Sequence, residues 1–202
     1  MDSSKIGLIM ATYIEAKPFV EKISWQRSAE KPFPVYYGKD MILVVSGIGK
    51  ANAAAACAWL CTAESPLWIL NIGAAGANRE GLPLGSIYQI SKALETDRTD
   101  FRTGKPFCHI ADIMEGFASA RLATSEKPVL DPEQRMKTAA FAELSDMEGA
   151  AIIQTAQKFQ TRCFVIKFVS DAPGHNTGKQ IAAHIRQYRD PVFKETIKII
   201  GF

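Results

Sequence analysis

The sequence predicts an α/β protein, and three observations carry that prediction. Short apolar runs alternate with helix-period stretches from end to end, several of those runs stop at glycines, and 47% of the 202 residues are hydrophobic. A chain of this length and apolar content suffices for one domain, residues 1–202, with a sizeable buried core. Strands that alternate with helices imply a mostly parallel sheet covered on both sides. Ligands of such sheets sit at the carboxyl ends of the strands.

Residues 5–11 form the first strand and residues 14–23 a helix. Pro32-Phe33-Pro34 marks a turn, and residues 35–38 and 41–46 pair as a hairpin around Lys39-Asp40. Gly47-Ile48-Gly49 breaks that pattern, and the Ala-rich stretch 50–61 reads as a strong helix. The continuously apolar run 67–72 suits a central strand, which Gly73-Ala74-Ala75-Gly76 ends. Residues 85–91 read as a further strand, 95–116 as loop, and 121–124 as a strand. Pro132 sits where a helix would begin. Residues 147–159 form a helix, 163–169 a strand, and 179–188 a helix that Pro191 separates from a last one over 192–200.

The bulk numbers exclude several function classes. A net charge of +3, with basic and acidic residues interspersed, gives no nucleic-acid surface. No window reaches the ~18 apolar residues of a membrane span. The N-terminal apolar run is short and no small-residue cleavage site follows it, so a cytoplasmic protein is expected. Cys57, Cys61, Cys108 and Cys163 lack the spacing of a metal site and read as buried reduced thiols, as His109, His175 and His184 read as ordinary residues. Neither a metal nor a cofactor is expected. Ser46-Gly47-Ile48-Gly49-Lys50 fails the dinucleotide fingerprint at Asn52 and the phosphate-loop pattern at Ala51, which leaves a tight turn.

The candidate chemistry lies just beyond the strand ends. Gly73-Ala74-Ala75-Gly76 allows either close approach of a ligand or close packing of helix on sheet. Asp146-Met147-Glu148 opens a helix, where acids suit the macrodipole, and Ser170-Asp171 follows an apolar strand. Glu15 follows the first strand. Each acid alone has an ordinary structural explanation. Three on one side of a sheet suit cleavage of a glycosidic bond, with one acid on the leaving group and one base on water. A third carboxylate can hold sugar hydroxyls.

At these residues the chain resembles the nucleoside phosphorylase and nucleosidase superfamily, most closely its methylthioadenosine/S-adenosylhomocysteine nucleosidase branch. The resemblance runs through Lys5-Ile6-Gly7-Leu8-Ile9 with Glu15, Ser46-Gly47-Ile48-Gly49-Lys50, Asn71-Ile72-Gly73-Ala74-Ala75-Gly76, Asp146-Met147-Glu148-Gly149-Ala150-Ala151 and Val169-Ser170-Asp171. It implies a three-layer α/β sandwich with a mixed, twisted, partly closed central sheet. It further implies a homodimer or higher homo-oligomer acting on a small-molecule nucleoside. Asp171, helped by Ser170, would be the acid at purine N7, and Glu15 the base that activates water. Glu148 would accept the ribose hydroxyls, Met147 and Asp146 would lie by the sugar, and Ala75 and Gly76 would run along base and ribose.

Lys167 stands where the family usually has arginine, Ala74 where it often has serine or threonine, and Thr124-Ser125-Glu126-Lys127-Pro128 where it has a Ser-Gly-Asp-like segment. Ala172-Pro173-Gly174 is likewise an unusual continuation. Phosphorylases of the family carry a Gly-Asp-Pro-x-Arg turn after the first strand; Thr12-Tyr13-Ile14-Glu15 stands here, which favours hydrolysis. Phosphorolysis, with Lys167, Arg79 and Arg98 on phosphate, and a non-catalytic nucleoside-binding protein are the alternatives. Phe101 and Phe107 are candidates for a residue given to a neighbouring subunit's site.

Overall fold

A computed structural model describes residues 5–175 and 177–201, leaving out the side chain of Ile199. The strands are β1 (Ile6–Met10), β2 (Arg27–Ala29), β3 (Val35–Tyr37), β4 (Met41–Val45), β5 (Trp68–Ala77), β6 (Ile87–Thr99), β7 (Pro106–Ile110), β8 (Ala118–Thr124), β9 (Leu144–Asp146) and β10 (Arg162–Asp171). The helices are α1 (Tyr13–Lys22), α2 (Lys50–Glu64), α3 (Pro132–Ala139), α4 (Gly149–Lys158) and α5 (Gly178–Ile200).

Alternation along the strands sorts the core into two clusters. Ile6, Leu8 and Met10 of β1, with Leu70 and Ile72 of β5, pack with Ala16 and Phe19 of α1 and Val192 of α5. Ile9, Ile42, Val44 and Ile69 face the other way, onto Ala53, Cys57 and Leu60 of α2 and Ile152, Ile153 and Ala156 of α4. Helices on both faces of one sheet make the expected three layers.

The sheet runs β10-β6-β8-β9-β5-β1-β4-β3-β2, and β10 pairs β5 as well, so five strands close into a ring from which β1, β4, β3 and β2 extend. The pairing is mixed: β1 is parallel to β4 and β5, whereas β9 and β6 run antiparallel to β5 and β10. Strand β5 carries the topology. One edge pairs β10 from Trp68 to Gly76. The other pairs β1 from Trp68 to Asn71 and then β9 at Gly76 and Ala77. Between these partners, residues 72–75 have no ladder on that edge, and the sheet opens there as a seam.

Five expectations change. Gly73-Ala74-Ala75-Gly76 does not end the central strand, because β10 keeps pairing through it. Residues 95–116 are not a loop: β6 runs to Thr99 and β7 pairs back onto it, in a polar ribbon whose half-exposed surface hides the apolar signal. Asp146 lies in β9 and the helix starts at Gly149, since the Asp146 carboxylate accepts from the Gly149 N–H and turns the chain there. Pro191 does not break α5, which is continuous; Pro191 faces solvent while Ile185, Tyr188 and Val192 pack the same helix onto the core. The thiols of Cys57, Cys61 and Cys163 are buried as expected, but Cys108 on the β7 ribbon is exposed.

Candidate active site

The seam in the sheet is the floor of a cleft with an empty volume of about 660 Å³ out to its mouth. Glu15, Ala74, Ala75, Gly76, Asp146, Met147, Glu148, Ser170 and Asp171 all line it, so the predicted constellation is brought together. Apolar walls come from Ile48, from Val129 and Leu130, and from Ile181 and Ile185 of α5.

Glu15 is aimed by a local motif. Thr12 caps α1, and Thr12 and Glu15 form a reciprocal capping box. The Thr12 N–H and hydroxyl both donate to Glu15 Oε2, at 2.9 and 2.6 Å. This folds the carboxylate back over the helix start, and its Oε1 then accepts from the Ala74 N–H at 2.8 Å, a main-chain donor released by the seam. A Cβ at Gly73 would lie 3.0 Å from Oε1 and crowd the carboxylate. A carboxylate has about four acceptor sites. Three are used, and the one left is on Oε1.

Glu148 is held from the opposite strand end. Its Oε1 accepts from the Gly49 N–H at 2.9 Å, at the start of α2. Burial, and then the neighbouring Asp146 carboxylate, push Glu148 up to about 7, against the lowering effect of Lys167 and the Gly49 N–H. Asp146 is tied into the protein: Thr124 Oγ1 donates to Oδ1 at 2.6 Å, while Gly149 N–H and the Lys167 ammonium reach Oδ2 at 2.7 and 2.8 Å. Lys167 lies behind the cleft wall, fully buried. Burial works to lower its pKa, but the carboxylates of Asp146 and Glu148 outweigh that and hold it above the ordinary lysine value.

Asp171 closes the third side. Ser170 Oγ donates to its Oδ1 at 2.6 Å, and Arg135 forms an ion pair with its Oδ2. In that pair Asp171 is an acceptor. Gly76 makes the room, because a Cβ there would stand 2.6 Å from Oδ2. The glycines of the small-residue segment thus clear space for the protein's own carboxylates, as well as for a ligand.

Sequence reasoning missed Arg135, which has no local signal: it lies in a polar stretch, and only Arg135 and Thr138 of α3 are buried. It also missed the Thr12 capping box, whose Thr-x-x-Glu signature was present. Arg79 is exposed and outside the cleft, and Arg98 is engaged with Glu95 and stacked on Phe107. Phe101 is exposed, away from this chain's cleft. Among the described residues no group of three or more metal-ligating side chains is placed to hold a metal ion.

Ring, seam and converging carboxylates define an α/β protein with a cleft for a small, partly apolar ligand. The sequence matches the family model of the phosphorylase superfamily over residues 5–196, and the chain belongs to that superfamily. The 5′-methylthioadenosine/S-adenosylhomocysteine nucleosidase of Hydrogenovibrio crunogenus is 30% identical over 83% of each chain. Among solved structures, the corresponding nucleosidase of Colwellia psychrerythraea, in complex with adenine, superposes with a TM-score of 0.87 at 23% identity, over 99% of this chain and 96% of that one. The futalosine hydrolase of Helicobacter pylori does so at 0.86 and 18%, over 98% and 97%.

Proposed function

We propose that the chain hydrolyses the N-glycosidic bond of a purine-type nucleoside to free base and ribose sugar. The observation that carries this reading is Glu15, held by three donors with one acceptor site left, in the same cleft as Asp171 and Glu148. That site takes a water. As the bond from C1′ to the base nitrogen breaks, its electron pair leaves with the base and positive charge develops on the ribose. The water oxygen bonds to C1′, and Glu15 takes its proton. Asp171 passes a proton, drawn from solvent, to the purine as charge builds on the base. Ionised Glu148 accepts from the ribose hydroxyls, and Met147 packs on the sugar.

Hydrolysis is favoured over phosphorolysis because the cations nearest the cleft, Lys167 and Arg135, are already paired with Asp146 and Asp171. The names of the relatives support the same class of reaction. The reading extends to a cytoplasmic homo-oligomer. The free thiols suit a reducing compartment. The exposed Ile110 and Ile113 suit contact with a second copy.

The test is incubation of purified protein with adenosine, inosine, methylthioadenosine, S-adenosylhomocysteine, futalosine and uridine, with and without phosphate. Free base and free sugar without phosphate are expected. A sugar 1-phosphate formed only with phosphate would overturn the assignment of Glu15. Glu15→Gln can keep the capping box with its amide oxygen in place of Oε2, although its NH2 then faces the Ala74 N–H; it removes the base, so kcat is expected to fall by about 10²–10⁴-fold. Near wild-type turnover in that variant would remove Glu15 from the mechanism.

A further inference from the structure

Arg135 is 2% exposed and stands outside every role assigned above. A guanidinium taken out of water needs partners for its five N–H donors. Here Nη1 donates to the Ala77 carbonyl at 2.6 Å, Nη2 pairs with Asp171 Oδ2, and the buried Nε has no partner. As an anchor for α3 this is a poor arrangement, since replacing a buried ion pair by well-packed apolar groups is often neutral or stabilising. What the arrangement does well is orient Asp171. The two terminal nitrogens grip the end of β5 and the carboxylate together, in the space that Gly76 leaves: a Cβ on Gly76 would meet Nη1 at 3.1 Å and Nη2 at 3.2 Å.

The other end of the same side chain explains the consequence. Helix α3 starts at Pro132, directly after Pro128, Val129 and Leu130, which form one wall of the cleft. Arg135 sits one turn into that helix, so it ties the wall to Asp171 from behind. We propose that Arg135 is a positioning residue for glycosidic-bond cleavage. It fixes Asp171 Oδ2 and the 128–130 wall relative to one another, and so sets where the base lies against the carboxylate that protonates it. Arg135 does not line the cleft, and it acts through Asp171. Its kinetic consequence rests on the nucleosidase reading; its structural consequence does not.

The experiment compares wild type with Arg135→Met, Arg135→Lys, Asp171→Asn and the double variant Arg135→Met/Asp171→Asn. It reads kcat, KM, thermal midpoint and a crystal structure of Arg135→Met. In Arg135→Met, kcat is expected to fall about 100-fold, the scale of a 1 Å misplacement. KM should rise by less than kcat falls, since Glu148 still holds the ribose hydroxyls in the proposed complex while the base loses its fixed wall. Arg135→Lys keeps the charge without the two-pronged grip and is expected to lose about 10-fold in kcat. The double variant should be no slower than Asp171→Asn alone, because one interaction is being removed twice. In the Arg135→Met structure, Asp171 and residues 128–130 should leave their present positions.

A kcat of Arg135→Met within about 3-fold of wild type, additive losses in the double variant, or an unmoved Asp171 overturns the proposal. If Arg135→Met does not fold, Arg135→Lys is read by the same split between kcat and KM and by its own crystal structure. A wild type that cleaves no nucleoside sinks the nucleosidase reading, while the position of Asp171 in the variant still decides the role of Arg135.

Discussion

Glu148 shows how one residue couples chemistry to pH. Burial, followed by Asp146, raises it to about 7, so near neutrality it divides between acid and carboxylate. In the proposed mechanism only the carboxylate accepts from both ribose hydroxyls. As pH falls below about 7, kcat/KM for the nucleoside is therefore expected to drop, and Glu148→Gln, slower overall, should lack that limb. A wild-type profile flat from about pH 5.5 to 8 would contradict this. The sign for stability is opposite. A carboxyl whose folded value lies above its unfolded one binds more protons when folded, so stability falls as pH rises from about 4.5 to about 7. The cost is complete above that window and amounts to at most about 3 kcal/mol. Glu148→Gln should thus be more stable than wild type at pH 8 and similar below about pH 4.5, by denaturant titration. The type and place of Glu15, Glu148 and Asp171 were legible in the sequence. Their partners were not: Ala74, Gly49 and Arg135 lie 59, 99 and 36 residues away, and no local pattern encodes such a pairing.

Among the elements, the start of α2 does most to arrange the cleft. Gly49 caps it at φ 99° and has no side chain of its own to serve that end. Two carboxylates do instead: Glu148 on the Gly49 N–H and Glu126 on the Lys50 N–H, at 2.9 and 3.0 Å. The tight turn expected at Gly47-Ile48-Gly49 is present, with φ 87° and 99° at its two glycines. Gly49→Ala would suffer twice, from the positive φ and from a Cβ 2.5 Å from Glu126 Oε1. It is expected to lose about 1–3 kcal/mol in denaturant unfolding and to raise KM by displacing Glu148. Unchanged stability and KM would show that Glu126 yields without effect. Helix α2 was legible from its alanine-rich composition and α4 from its apolar periodicity. Strand β9 was hidden, because three residues, Leu144-Ser145-Asp146, leave no period to read.

At the scale of the molecule, the α/β class and the covered sheet could be read from the order of segments. The mixed, partly closed form came from family resemblance, since ring closure depends on β10 meeting β5 and β9 meeting β5 across long stretches of chain. Closure also predicts where the fold is hardest to open. Residues 69–71 of β5 are paired on both edges under two helical layers, whereas β2 is the last strand of the extension and pairs only β3. Native-state hydrogen exchange should be slowest at the former and faster by orders of magnitude at Arg27–Ala29. Comparable rates at both would show that the ring opens together with its edge.

The seam has a consequence for how the cleft tolerates mutational drift. The donor that steadies Glu15 from the sheet is the Ala74 amide, which every residue type except proline supplies. Substitution at position 74 can therefore change the size and polarity of the floor while leaving that grip intact. Side-chain scanning would score the position as a matter of bulk alone, and only Ala74→Pro, or an amide-to-ester replacement by semisynthesis, would expose the atom at work. A cleft floored in this way can be re-lined for new ligands without dismantling the contact that holds Glu15.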